Sequence, residues 1–103
     1  MTADPGPARE TLLALTNPVE GKDEEFREWY WGTHIPEILR LPGFVAARPY
    51  RTAAGPYKYV TLYEVEGSAA EALKRLYTSD LGSSDTLDFH SVVMLPLIAA
   101  DDF

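Results

Sequence analysis

The chain contains no cysteine. Disulfides, thiolate nucleophiles and cysteine-held metal sites are thereby excluded. Histidine is almost as scarce: His34 and His90 are the only two. They form no His-x3-His pair, and no carboxylate cluster has metal-ligand spacing, so neither a metal nor another cofactor is expected. A haem reading stays open only through one axial histidine in an otherwise apolar cleft. Basic residues are in deficit, nine against sixteen acidic ones, and the formal charge is −7. That charge repels phosphate backbones and anionic lipid, and no local basic patch opposes it, so no nucleic acid and no membrane partner is expected. No run approaches the ~18 apolar residues of a membrane span, and the opening "MTADPGPARE" lacks a signal-peptide core, which makes a cytoplasmic protein the expectation. A Gly-rich phosphate loop is missing, because "GKDEE" puts three acids where a phosphate would sit. No G-x-S-x-G turn offers a serine nucleophile either.

What is present is one domain's worth of core. With 103 residues, 46% hydrophobic and 12% aromatic, the chain suits a single small domain whose surplus apolar surface favours an oligomer interface. Residues 1–9 carry two prolines and a glycine and read as a lead-in, 10–99 as the domain, and 100–103 as an acidic tail. "TLLALTN" is a short apolar run stopped by Pro18, the pattern of a buried strand. From Lys22 three acids open a helix on which Phe26, Trp29 and Tyr30 recur at offsets of three and four, and Gly32 with Pro36 predicts a kink or restart. "FVAARPYRTA" and "YKYVTLYEVE" predict a β-hairpin turning at "AGP". "SAAEALKRLY" opens with a capping box, Ser68 with Glu71, and carries one apolar stripe. "LDFHSVVMLPLIA" closes the chain with strand composition.

The order βαββαβ predicts an α+β, ferredoxin-like fold: a four-stranded antiparallel sheet with both helices on one face. The strands carry apolar residues at both parities, Val60 and Leu62 as well as Tyr59 and Tyr63. The second sheet face therefore needs a cover, and a homodimer with a second copy of the sheet is expected.

The segment "EFREWYWGTHIPEILRLPGFVAARPYR", residues 25–51, resembles the signature of EthD-like proteins of the dimeric α+β barrel superfamily. There an aromatic pair is followed by a histidine, a proline and "lpGf" before the second strand. The motif covers about a quarter of the chain, and the element order fits nearly all of it. The resemblance implies a homodimeric barrel with each ligand cleft between sheet and helices. It does not fix the reaction: the superfamily holds cofactor-independent oxygenases, polyketide cyclases, lactone isomerases, haem-degrading enzymes and members without assigned chemistry.

The candidate catalytic residue is His34, four residues after Tyr30 and eight after Phe26, hence on their inward row. An imidazole there can cycle a proton at neutral pH; the plain alternative is a structural histidine serving backbone groups freed at the Gly32–Pro36 break. Trp29 and Tyr30 are candidate walls for a flat ligand, or simply core, while Trp31 must point to solvent or a partner. A hairpin symmetric about "AAGP" sets Arg48 opposite Thr61 and Tyr50 opposite Tyr59, gathering Arg48, Tyr50, Tyr59 and Tyr63 on one face. That set suits an enolate or carboxylate, or alternatively a polar dimer seam. His90 stands with the apolar parity of the last strand, as a further substrate contact or a satisfied core histidine.

Function is expected to be cofactor-independent proton abstraction next to a carbonyl, of cyclase, isomerase or lyase type. The expected substrate is a hydrophobic, polyketide-like or aromatic small molecule. The alternatives are a cofactor-independent oxygenase in the same cleft and a non-catalytic ligand-binding or assembly protein.

Overall fold

A computed structural model describes residues 9–99; the expected tail at 100–103, and all but Arg9 of the expected lead-in, lie outside them. β1 (Arg9–Thr16) leads to α1 (Asp23–Trp29), which passes through a π-helical turn (Tyr30–His34) into α2 (Ile35–Ile38). β2 (Phe44–Arg51) and β3 (Tyr59–Glu66) form the hairpin, α3 (Ala69–Tyr77) follows, and β4 (Val93–Leu97) closes the sheet. The strand order is β2-β3-β1-β4 with every neighbouring pair antiparallel. This is the ferredoxin-like arrangement. Arg9 is already the first residue of β1, so the strand starts one residue inside the expected lead-in.

Each element has a local cause. Ser68 caps α3 by accepting the Glu71 N–H at 3.2 Å, as the capping box predicts. The break expected between Gly32 and Pro36 takes the form of a π turn: the Ile35 N–H reaches back to the Tyr30 carbonyl, five residues away. One extra residue in the turn lets the helix absorb Pro36, which has no N–H to give. The core lies between the helices and one sheet face. Leu12, Phe26, Tyr30, Ile38, Tyr59, Tyr63, Val65 and Ala72 are its buried centre. Pairing Leu12 with Tyr63 and Ala14 with Thr61 puts that face in register.

The hairpin does not have the expected register. The loop holds one residue more than a turn at "AAGP" would, because the Thr52 N–H bonds the Lys58 carbonyl at 2.9 Å and Gly55, at φ +107, takes the bend of residues 53–57. Arg48 consequently lies opposite Leu62 and Tyr50 opposite Val60. Since side chains alternate along a strand, this one-residue difference sends Arg48 and Tyr50 to the sheet face away from the helices, while Tyr59 and Tyr63 stay under them. A bulge at Val45 then returns Phe44 to the core opposite Val65.

Candidate functional site

The first helical segment delivers an aromatic row onto the sheet. Phe26, completely buried, touches Tyr30 (ring centroids 5.2 Å) and Tyr59 (5.3 Å). Tyr30 in turn meets His34 edge-on at 5.1 Å. The inward row Phe26, Tyr30, His34 is thus in place, and the π turn does not rotate the imidazole out of it. Trp29 stacks on the His34 ring at 4.5 Å and 22°. The imidazole is held between an indole and a phenol.

That environment sets its chemistry. His34 Nδ1 is buried with no hydrogen-bond partner, a condition shared among the described residues only by Thr16 Oγ1. Burial lowers the His34 pKa to about 4, because the imidazolium would lose its hydration in the aromatic cage. His34 is therefore neutral at pH 7. Its Nδ1 does not serve the backbone groups freed at the Pro36 break, the task that the structural alternative assigned to the ring.

Among the aromatic contacts of the described residues, no sequence candidate beyond Trp29 and Tyr30 touches the His34 ring. Tyr30 and Tyr63 bond each other through their hydroxyls at 3.2 Å and are buried, and burial raises both phenol pKa values. They stay protonated and act as core. Tyr59 has a buried ring, but its hydroxyl accepts from Arg27 Nη1 at 3.1 Å, and the Trp31 indole stands edge-on to it at 5.9 Å. Trp31 is 40% exposed, as its place on the helix requires.

Arg48 lies on the open sheet face, beside a cleft of about 250 Å³ that Thr11, Leu62 and Glu64 also line. Tyr50 is on that face too and is exposed. His90 is not on a strand. It sits exposed in a short 3-10 turn (Phe89–Ser91) that Asp88 caps by accepting the His90 N–H at 3.1 Å. The cap holds the backbone out of the extended form for three residues, and β4 starts only at Val93. His34, Trp29, Tyr30, Tyr59 and Tyr63 therefore share the helix side, Arg48 and Tyr50 lie on the opposite sheet face, and His90 is exposed outside the sheet.

The fold has a solved counterpart. The structure is similar to that of a protein from Shewanella loihica PV-4 named a putative monooxygenase, with a TM-score of 0.56 over 88% of this chain and 90% of that one, at 16% sequence identity. At that identity the likeness carries the fold and not the chemistry. No family model matches the chain, and no curated protein matches it. The EthD-like resemblance rests on the motif of residues 25–51, and the comparison shows the fold alone.

Sequence reasoning missed a second cavity on the helix side. It holds about 350 Å³ between α1 and the hairpin loop and is lined by Arg27, Arg51, Lys58, Asp23, Tyr57 and Tyr59 among others. One signal was legible: Asp23 and Arg27 are four apart on one helix flank. The other, Arg51 beside Tyr59, needed the hairpin register.

Among the described residues no group of three or more His, Asp or Glu is placed to hold a metal ion. None of their helices is long and apolar enough to cross a membrane.

Proposed function

We propose that the protein is a cofactor-independent oxygenase for an electron-rich, hydrophobic phenol or related polycyclic compound, with His34 as its base. The observation that carries this reading is the neutral imidazole, caged by Trp29 and Tyr30 with Nδ1 unpartnered. The likeness to a protein named a monooxygenase turns the reading from proton abstraction alone towards oxygen chemistry. The EthD-like motif agrees with both.

The steps use only the substrate, O2 and this chain. His34 takes a proton from an acidic O–H or C–H of the substrate. The imidazolium forms beside the new anion, and that pairing offsets the desolvation that depresses its pKa in the free protein. The anion gives one electron to O2, and the resulting radical pair closes a C–O bond as a peroxide. The peroxide regains the proton from the imidazolium, then loses water as the carbon gives up its remaining hydrogen. Two substrate hydrogens and one O2 become a carbonyl group and one water, and the substrate supplies every electron. Trp29 contributes a flat apolar surface that excludes water from the anion.

A homodimer belongs to the same proposal. The sheet face opposite the helices leaves Val45, Tyr50, Leu95 and Leu97 exposed, and a second copy of that sheet would cover them and complete the barrel.

Oxygen uptake decides the reading. Anthrone-type and hydroquinone substrates should consume one O2 per molecule converted, without release of hydrogen peroxide. Turnover that proceeds equally well under argon would replace the oxygenase with the cyclase or isomerase reading. Tight binding without turnover would leave a ligand-binding protein.

A further inference from the structure

The charge around the second cavity runs against the charge of the chain. Three of the nine basic residues, Arg27, Arg51 and Lys58, line it with a single carboxylate, Asp23, in a protein of formal charge −7. Asp23 is already taken, since its Oδ2 lies 3.0 Å from Lys58 Nζ. Among the described residues neither Arg27 nor Arg51 forms an ion pair, and the bonded partner of Arg27 is the Tyr59 hydroxyl. Two guanidiniums thus face one cavity without a direct ion pair, and the carboxylates that act on Arg27, Asp23 and Glu24, do so only through space. Like charges brought together in this way repel each other unless an anion joins them.

The walls are fixed rather than loose. The hairpin loop is tied back at both ends: the Lys58 N–H donates to Asn17 Oδ1 at 2.8 Å, Asn17 Nδ2 donates to the Pro56 carbonyl at 3.1 Å, and Thr52 Oγ1 donates to the Tyr57 carbonyl. Arg27 is set by Tyr59, whose ring is packed on Phe26. Next to the cations stands an apolar surface, because Trp31 lies one helical turn beyond Arg27 on the same flank and meets the same Tyr59 ring. Cations and aromatic edge adjoin through one shared residue.

We infer that this cavity is a binding subsite for the carboxylate of an aromatic acid, with Arg27 and Arg51 holding the carboxylate and the exposed Trp31 indole beside it lying along the ring system. Guanidinium pairs favour the planar, two-oxygen geometry of a carboxylate. This goes beyond the oxygenase reading and does not depend on it.

The test compares 1-hydroxy-2-naphthoate with its carboxamide, which has the same shape without the charge. Binding is measured by titration calorimetry on the full chain. Wild type should bind the carboxylate at least about tenfold more tightly than the amide, the worth of charge-assisted hydrogen bonds. Arg27→Gln and Arg51→Gln should each collapse that ratio towards unity, while Arg27→Lys and Arg51→Lys retain part of it. Lys74→Gln, which removes the same charge from α3, should leave the ratio unchanged. Carboxylate-induced NMR shifts should centre on the amides of residues 52–58. Should Arg27→Gln fail to fold, Arg51→Gln at the exposed end of β2 decides alone. Equal affinity for acid and amide, no binding of either, or a ratio that survives both glutamine variants overturns the subsite. A protein that shows the ratio but consumes no oxygen keeps the subsite and loses the oxygenase.

Discussion

At the scale of single residues, His34 is where stability and chemistry meet. The unfolded chain takes up a proton near the ordinary histidine pKa of about 6.5, whereas the folded protein resists until about 4. Between those values the unfolded state binds more protons, so the contribution of neutral His34 to stability is whole above pH 6.5 and is lost as pH falls through the window. Wild type should therefore lose about 1 kcal/mol per pH unit from 6.5 to 4 relative to His34→Gln, read from urea midpoints of both proteins. A pH dependence identical in the two would show that His34 is not the buried neutral group. The same substitution tests catalysis. Glutamine keeps polar capacity but cannot cycle a proton, so turnover should drop by about a hundredfold at pH 7 with the fold intact. Activity unchanged in a folded His34→Gln protein would remove the histidine from the mechanism.

Elements are held by local contacts that the sequence states openly and by one that it does not. Ser68→Ala should cost about 1 kcal/mol of unfolding free energy through the lost cap on α3, measurable by chemical denaturation. Gly43 carries the less visible constraint. Its φ of +92 lies in the left-handed region, and a Cβ there would come within 2.6 Å of Arg75 Nη2, while its carbonyl accepts the Glu66 N–H at 2.8 Å. Gly43→Ala is expected to destabilise by about 1–2 kcal/mol, since alanine is strained at that φ even after Arg75 swings aside. Thermal melts that place Gly43→Ala level with wild type would contradict the account. Gly43 thus joins α2 to β2 with a conformation that only glycine adopts cheaply.

For the whole molecule, the open sheet face governs behaviour. If a second copy covers it, sedimentation at micromolar concentration should give twice the 11.5 kDa chain mass. Leu95→Glu, on the exposed face in register with Leu13, should then shift the mass towards one chain while circular dichroism keeps its folded shape. A wild-type protein that stays monomeric would sink the barrel assembly, and with it the cover proposed for Tyr50 and Leu97.

The sequence by itself determined the elements, their order and the helical row of Phe26, Tyr30 and His34, because periodicity, caps and breakers act over a few residues and are written in consecutive letters. It also excludes thiol chemistry, since the chain has no cysteine. The tertiary structure alone decided which residues meet. One extra residue in the hairpin loop, set by the Thr52–Lys58 pairing, parted Arg48 and Tyr50 from Tyr59 and Tyr63. A carboxylate cap at Asp88 took His90 off the strand. The same register brought Arg51 beside Tyr59 and so to Arg27, joining the cations of the hairpin to one on α1 that lies far from them in the chain. Register and cavity walls depend on contacts across dozens of residues, where a shift of one position exchanges the two faces of a sheet.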